Sequence, residues 1–203
     1  MGPLSNIRIL DLTRVWAGPL ALRMLADFGA EVIKISDPRV PVDRESGTNN
    51  KLNRNKLGLA LRLDEPEGRQ LLLGLTNISD VVIENFRPGR GWEMGQAPMS
   101  LHRRSPKLVL LRISGFGKTG PYRDLPGFGV IGEAMGGLRH LSGYPGQPPV
   151  RVGISIGDSL SSLYGVIGVL LALQERNRSG KGQEIDVALY ESVFAMMESL
   201  VPE

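Results

Sequence analysis

Short runs of apolar, β-branched residues alternate with stretches of helical character along most of the chain, and this alternation constrains the fold more than any other feature. Such runs predict buried strands, here at residues 7–12, 31–35, 57–63, 80–84, 107–114, 150–156 and 184–189. Helices are predicted at residues 20–28, 64–75, 99–104, 129–138, 160–173 and 191–200. Strands that alternate with helices favour an α/β fold with a mostly parallel sheet.

The first three predicted elements form a β–α–β unit, which places its two strands side by side and parallel. Gly29 follows the first helix and is a suitable residue to end it. The next segment, residues 37–55, is polar and without periodicity. We interpret it as a long surface loop.

Composition excludes several classes of protein. A hydrophobic content of 41% with a net charge of +3 is typical of a soluble globular chain. No run of like charge suggests a nucleic-acid partner, and the apolar stretch 163–173 is too short to span a bilayer. The N-terminus lacks the pattern of a signal peptide. We therefore expect a cytoplasmic protein without a membrane or nucleic-acid partner.

The sequence offers little from which a metal site could be built. It contains no cysteine, and its two histidines, His102 and His140, are far apart without acidic neighbours. Thiolate and imidazole ligands are therefore scarce. We expect no metal and interpret both histidines as surface residues.

Asp158 is the candidate reactive residue. It follows the predicted strand 150–156 and Gly157, and it precedes the predicted buried helix 160–173. Aspartate is a preferred N-cap residue, and position alone favours capping. A carboxylate at a helix N-terminus can also act as a covalent nucleophile. Position alone leaves both roles open.

Two nucleotide-binding motifs are rejected. Gly117-Lys118-Thr119 resembles the end of a phosphate loop, but Arg112 stands where that motif requires glycine. The dinucleotide fingerprint requires three glycines after the first strand, and here only Gly18 is found. Nicotinamide and flavin cofactors are therefore not expected.

Six segments, taken together and in order, point to a known family. They are residues 11–35 (beginning DLTRVWAGPLA), 53–68, 81–89 (VVIENFRPG), 106–127, 134–138 (AMGGL) and 152–192 (beginning VGISIGDS). They resemble the class III CoA-transferase family, of the formyl-CoA transferase and carnitine CoA-transferase type. The resemblance implies a Rossmann-like domain, with a mostly parallel sheet flanked by helices, that binds coenzyme A (CoA).

The resemblance also implies an activity and a set of site residues. Asp158 would be the nucleophile that moves CoA from an acyl-CoA to a small carboxylic acid through an aspartyl anhydride and an aspartyl-CoA thioester. CoA would be a substrate rather than a tightly bound cofactor. Apart from the resemblance, the predicted helix start leads us to expect that backbone N–H groups near residues 153–157 stabilise the oxyanions. The residues implied in CoA binding are Val15, Trp16, Ala17, Leu61, Asn85, Phe86 and Arg87.

The chain departs from the family pattern at two places. Asp37 stands where relatives often carry an arginine after the second strand, so Arg39 or Arg44 would replace it in phosphate binding. Glu93 occupies a position that is basic in relatives. Both departures concern the phosphate and adenine end of CoA.

The resemblance leaves two alternatives open. One is a 2-methylacyl-CoA racemase, but that activity needs an acid and a base on opposite faces. Racemases of the family supply a histidine where this chain has Gly127-Phe128-Gly129, so transfer is favoured. The other is an inactive truncated fragment. Residues 1–203 would be the amino-terminal part of the large domain, without the small domain and carboxyl-terminal return of relatives that form interlocked homodimers.

Overall fold

The computed structural model describes residues 2–41, 46–87, 101 and 104–200. Within these residues the strands are β1 (Arg8–Asp11), β2 (Glu31–Ser36), β3 (Lys56–Ala60), β4 (Val81–Glu84), β5 (Val109–Ser114) and β6 (Glu184–Ala188). The helices are α1 (Ala17–Asp27), α2 (Gly47–Asn53), α3 (Pro66–Asn77), α4 (Gly129–Met135), α5 (Ile156–Ser179) and α6 (Leu189–Phe194).

The strands form one sheet in the order β3-β2-β1-β4-β5-β6. Every described pair is parallel, which confirms the predicted α/β fold. From β1 the chain moves outward through β2 and β3, then returns to place β4 on the other side of β1. This reversal leaves a crevice at the carboxyl ends of β1 and β4, where open parallel sheets commonly bind ligands.

Both faces of the sheet are covered, as a parallel sheet requires. On one face, Leu22 and Leu25 of α1 and Val169 of α5 pack against the strands. On the other, Leu72 of α3 packs against Leu10, Val82 and Leu110. The resulting two layers of apolar side chains fix the carboxyl edge of the sheet in place.

The first β–α–β unit forms as predicted. β1 and β2 are parallel neighbours, with Arg8 opposite Glu31. Gly29 follows the helix cap with a φ of 99°, a left-handed conformation that glycine adopts without steric cost. The prediction that Gly29 ends α1 is therefore confirmed.

The predicted strand 150–156 is wrong. Residues 150–155 form a loop, and Val150, Val152 and Ile154 are exposed. Gly153 has a φ of 85°, which breaks the extended backbone. The free edge of β5 is instead occupied by β6, which comes from later in the chain. The alternation of valine and isoleucine with polar residues is the pattern of a strand, but these residues do not pair with any of the described strands.

Helix α5 is longer than predicted and is buried on one face only. Gly165 and Gly168 allow it to lie close to Leu111 of β5 and Ile185 of β6. Leu163 and Leu171 are exposed, so the prediction of a buried helix holds for one face only. By length and composition alone α5 could cross a bilayer, with a mean hydropathy of 1.7 over its most apolar window. Core helices of globular proteins meet the same test.

Two further predictions change in detail. The segment 37–55 contains α2, whose first turn is capped by the Ser46 hydroxyl accepting from the Asn49 N–H. The last helix is displaced from residues 191–200 to Leu189–Phe194. The predicted helix 99–104 falls largely outside the described residues, as does His102. His140 is exposed, as predicted.

Candidate active site

A cavity of about 610 Å³ opens at the carboxyl edge of the sheet. The loops after β1, β2, β3, β4 and β5 all contribute to its wall, together with the start of α5. Nine of the lining residues are those singled out from the sequence, namely Val15, Trp16, Ala17, Arg39, Leu61, Asn85, Phe86, Arg87 and Asp158. The structure thus brings all nine together, although their roles in CoA binding and catalysis stay predictions.

The loop between β1 and α1 is held against the start of α5. The Ser162 hydroxyl donates to the Ala17 carbonyl at 2.6 Å, and the Ala17 N–H donates towards the Asp158 carboxylate. Val15 in this loop has a φ of 68°, which is strained for a β-branched residue. Strained backbone of this kind is concentrated at ligand-binding loops.

Trp16 forms part of the cavity wall. Its ring lies 5.6 Å from the Lys51 ammonium of α2, within the range of a cation–π contact. Its indole N–H is buried and has no hydrogen-bond partner among the described residues. A ligand acceptor placed beside this N–H would satisfy it.

The loop after β4 is fastened to the loop after β1. The Asn85 amide accepts from the Arg14 N–H at 2.8 Å and donates to the Arg14 carbonyl at 2.7 Å. The next residue, Phe86, donates its N–H to Glu84 at 2.7 Å. Burial raises the pKa of Glu84, although Arg112 opposes the shift. Arg87 follows and is exposed at the cavity.

Arg39 lies on the cavity wall, but its guanidinium is already paired. It contacts Asp37 at 2.7 Å and Asp64 at 2.9 Å. Hydrogen bonds from Arg39 hold the pKa of Asp37 well below its usual range. These ion pairs are exposed and contribute little stability, so a phosphate could displace them. Arg44 and Glu93, which also bear on the phosphate contacts, lie outside the described residues.

Asp158 is the third residue of α5, since the N-cap is Ser155. The capping role that position alone favours is therefore wrong, because the helix begins at Ile156, four residues earlier than predicted. The side chain is half-buried, and burial together with the nearby charge of Glu133 raises its pKa to about 6. Arg151 and the Ala17 N–H act in the opposite direction. At neutral pH the carboxylate is mostly ionised and lies at the cavity wall.

A glycine on α4 makes room for this carboxylate. A Cβ atom at Gly129 would overlap Asp158 Oδ2. A Cβ atom at Gly157 would lie 3.0 Å from the Gly129 carbonyl oxygen. The two helix starts can therefore approach closely only because both positions are glycine. The arrangement presents an ionised, partly desolvated carboxylate suited to nucleophilic attack on a carbonyl carbon.

A sequence profile of CoA-transferase family III matches residues 4–203. The chain belongs to CoA-transferase family III. The family resemblance predicted from the six segments is thereby confirmed.

Relatives of the family III chain include several CoA-transferases. This chain is 48% identical in sequence to the succinyl-CoA–D-citramalate CoA-transferase of Chloroflexus aurantiacus, over 99% of this chain and 52% of that protein. The succinyl-CoA:glutarate CoA-transferase of Mus musculus is 37% identical, over 97% and 48% respectively. The chain thus spans about half the length of the curated relatives it matches.

The fold is also found in solved structures of other proteins. A CAIB/BAIF family protein from Brucella suis matches with a TM-score of 0.92 at 34% identity, over 99% of this chain and 57% of that chain. A protein from Mycobacterium tuberculosis matches with a TM-score of 0.91 at 32% identity, over 99% and 59%. The α/β architecture described above is therefore shared with these proteins.

Sequence reasoning missed a charged group that lies close to Asp158. Glu133 of α4 is fully buried and its charge acts on Asp158. It sits in the segment GEAMGG, which lacks a clear apolar period, so nothing marks its acid as buried. Among the described residues no group of three or more histidine, cysteine, aspartate or glutamate side chains could hold a metal ion.

Proposed function

We propose that the whole protein is an enzyme that moves CoA from an acyl-CoA donor to a carboxylic acid, with Asp158 as the nucleophile. The observation that carries the proposal is a half-buried carboxylate, mostly ionised at neutral pH, on the wall of a 610 Å³ cavity at the carboxyl edge of the sheet. Membership of CoA-transferase family III and the names of the relatives support it.

The first half-reaction begins at the donor thioester. An Asp158 oxygen attacks the thioester carbonyl carbon, the carbon–sulfur bond breaks, and CoA leaves as a thiolate while a mixed anhydride forms. The thiolate then attacks the Asp158 carbonyl carbon. The donor acid leaves as a carboxylate, and Asp158 is now joined to CoA as a thioester.

The second half-reaction reverses these steps with the acceptor. The acceptor carboxylate attacks the aspartyl thioester and expels the CoA thiolate, which forms a second anhydride. The thiolate attacks the acceptor's carbonyl carbon and releases Asp158 as a carboxylate. Each step exchanges one anion for another, so no net proton transfer is needed. Backbone N–H groups in the first turn of α5 would stabilise the oxyanion at each tetrahedral stage.

The cavity offers different surroundings to the two ends of CoA. Arg39 and Arg87 would contact the phosphates, because a guanidinium can donate two charge-assisted hydrogen bonds to one phosphate. Leu61 and Phe86 would contact the methyl and methylene groups of the pantetheine arm. Asp158 would then meet the thioester at the other end.

Transfer is favoured over racemisation. A racemase needs a second proton carrier facing the substrate α-carbon. Phe128 stands in the sequence where racemases of the family carry a histidine, and it lines the cavity. Among the described residues of the cavity wall there is no histidine.

Trapping the acyl intermediate tests the proposal. The full-length protein is incubated with an acyl-CoA and hydroxylamine, which converts an aspartyl anhydride or thioester to a hydroxamate. Peptide mass spectrometry is expected to find the modification on Asp158 only when acyl-CoA is present. An active enzyme whose Asp158 stays unmodified would contradict the anhydride route, and exchange of the acyl α-proton without CoA transfer would indicate a racemase.

We also propose the domain organisation, oligomeric state and location of the full-length protein from its family membership. Residues 1–203 would form the amino-terminal part of the large domain, and the full-length protein would be an interlocked cytoplasmic homodimer that binds CoA only as a substrate. Light scattering on the full-length protein would test the dimer, since a monomer that transfers CoA would contradict it.

A further inference from the structure

Glu133 is a buried carboxylate that the proposed mechanism does not use. It is 0% exposed, and neither of its oxygens has a hydrogen-bond partner among the described residues. Its Oε2 atom lies 3.8 Å from Arg139 Nε and 3.7 Å from Arg151 Nε. A buried charge is costly unless it is paired. These two guanidinium groups are therefore held in place by a carboxylate that has few other partners.

The side chains of the two arginines differ in solvent exposure. The Arg139 side chain is 23% exposed, whereas that of Arg151 is 47% exposed. Arg151 also donates to the Ser155 hydroxyl at 3.3 Å, which ties it to the start of α5. Ser155 precedes Asp158 by three residues, and the Cγ atom of Glu133 lies 3.6 Å from where a Cβ atom at Gly157 would be. These two partners place Arg151 near the nucleophile, and its positive charge favours ionisation of Asp158. It does not line the cavity assigned to CoA.

We infer that Arg151 binds the second carboxylate of a dicarboxylic acyl group, and that the enzyme selects dicarboxylic acids through this contact. The inference rests on the proposed function, because it assigns a subsite to the acyl group that Asp158 would carry. The acyl chain begins at the atom bonded to Asp158. A cation close to Asp158 but outside the CoA cavity is therefore within reach of the far end of a short acyl chain.

Charge balance supports a dicarboxylic rather than a monocarboxylic group. In the free site, the carboxylates of Asp158 and Glu133 balance the guanidinium groups of Arg139 and Arg151. Acylation removes the charge of Asp158 and leaves one positive charge in excess. The free carboxylate of a dicarboxylic acyl group restores the balance, because it can accept charge-assisted hydrogen bonds from the Arg151 guanidinium. A monocarboxylic acyl group leaves the excess charge uncompensated.

The CoA phosphates are not the anion that fits Arg151. The phosphates belong at the far end of a long molecule whose thioester meets Asp158. Arg39 and Arg87 are available to them on the cavity wall. Arg151 is instead fixed next to the reacting end by Glu133 and Ser155.

A pair of acceptors that differ only in the second carboxylate tests the inference. With saturating succinyl-CoA as donor, kcat/KM is measured for glutarate and for pentanoate on the full-length wild type, Arg151→Gln and Arg151→Lys. In a ping-pong scheme this constant reports the acceptor half-reaction alone. Arg151→Gln should lower kcat/KM for glutarate roughly 10- to 100-fold, the effect of losing one charged hydrogen-bonded contact. The value for pentanoate should stay within about threefold.

Two further variants complete the design. Arg151→Lys keeps the charge without the planar fork, so its value for glutarate should lie between wild type and Arg151→Gln. Arg178→Gln is the matched control, since Arg178 lies near the far end of α5 and pairs with Glu175. It should leave both acids unchanged. Thermal melting of each variant confirms folding, and Arg151→Lys carries the test if Arg151→Gln does not fold.

The outcomes separate this inference from the proposed function. A wild type that transfers CoA but does not prefer glutarate overturns the dicarboxylate subsite alone. Equal losses for glutarate and pentanoate in Arg151→Gln also overturn it, because they would mean that Arg151 acts only through Asp158. A wild type that transfers CoA to no acid overturns the proposed function, and this inference with it.

Discussion

Asp158 is subject to two opposing requirements. A nucleophile must be ionised, but burial and the charge of Glu133 raise its pKa from 3.8 to about 6. A carboxyl with a higher pKa in the folded than in the unfolded protein destabilises the fold once it ionises. This penalty is absent below about pH 4, grows up to about pH 6 and is complete above it. The protein thus keeps the charge on Asp158 at neutral pH at a cost in stability.

Replacing Asp158 by asparagine should therefore stabilise the fold while abolishing CoA transfer. At pH 7.5 the free energy of unfolding of Asp158→Asn should exceed that of the wild type by on the order of 1–2 kcal/mol, a value reduced because the side chain is only half-buried. At pH 4 the difference should vanish, since the wild-type carboxyl is then protonated. Urea unfolding at both pH values measures the effect.

Asp124→Asn is the control for this experiment, because Asp124 is exposed and contacts only its neighbour Arg123 among the described residues. It should change the free energy of unfolding by less than about 0.5 kcal/mol at either pH. If Asp158→Asn were less stable than the wild type at pH 7.5, the account of Asp158 as a destabilising charge would be wrong.

At the residue scale, the site residues were predicted from the family resemblance and not from local sequence patterns. Position alone favoured Asp158 as a cap, and only the family resemblance suggested a nucleophile. The cavity residues came from the same source. Glu133 and Arg151 could not be found, because their pairing depends on how α4 packs against the loop 150–155. No pattern within either segment encodes that packing.

The approach of α4 to α5 is the element-scale feature on which the site depends. Gly129 begins α4, and the Asp158 carboxylate occupies the space where a Cβ atom at that position would lie. Gly157, beside Asp158, faces the Gly129 carbonyl. The position of the nucleophile is therefore set by two helices together.

Gly129→Ala should displace the Asp158 side chain without unfolding the protein. Alanine suits the backbone, because Gly129 is not among the glycines with a left-handed φ, and the atom it meets is the end of a side chain. A displacement of about 1 Å from the attack position lowers kcat on the order of 100-fold. Steady-state CoA transfer measures this loss.

Gly74→Ala provides the matched control within another helix. Gly74 lies in α3, and apart from its chain neighbours and the backbone of α3 no described atom lies within 4 Å of where its Cβ would be. This variant should retain wild-type activity and gain about 0.5–1 kcal/mol of stability, because alanine is the better helix former. A Gly129→Ala enzyme with kcat within threefold of wild type would show that α4 does not position the nucleophile.

Element boundaries show where sequence patterns are informative. β1, β2, β4 and β5 were predicted because their β-branched runs are buried on both faces, as central parallel strands are. The loop 150–155 has a similar composition but no neighbouring strand edge to pair with. A strand depends on its partner, and the partner is not visible in the run itself.

At the scale of the whole molecule, alternation of strands and helices predicted a parallel sheet but not the order of its strands. The order is fixed partly by a buried ion cluster that joins three strands. Asp11 ends β1 and is 0% exposed, Lys34 of β2 lies 3.2 Å from it, and Lys56 of β3 lies 2.9 Å from it. These residues are 23 and 45 positions from Asp11 in the chain, so sequence reasoning had no means of linking them.

The same cluster supports the loop that forms the cavity. Asp11 accepts from the Thr13 N–H at 2.8 Å and from its hydroxyl at 2.6 Å, just before the loop containing Val15. Lys56 also donates to the Pro19 carbonyl of α1 at 3.0 Å. Burial lowers the pKa of Lys56 to about 8, although Asp11 opposes the shift. The lysine is thus mostly charged at neutral pH and pairs with Asp11.

Lys56→Met should therefore weaken both the fold and the site. Methionine fills a similar volume but leaves the buried Asp11 with only one cation, and breaking a buried ion pair costs about 3–5 kcal/mol. Lys34 remains beside Asp11, so we expect a loss of about 2–4 kcal/mol in the free energy of unfolding. Lys107→Met, at an exposed position before β5, should cost less than about 0.5 kcal/mol.

Measuring CoA binding shows whether Lys56→Met disturbs the loop after β1 or only lowers the stability of the whole fold. If the cluster holds the loop after β1 in place, Lys56→Met should weaken CoA binding under conditions where the variant is still folded, and calorimetry on the full-length protein measures this. A variant as stable as Lys107→Met would show that Asp11 is satisfied by Lys34 and Thr13 alone. An unstable variant with unchanged CoA affinity would show that the cluster joins the strands without supporting the cavity.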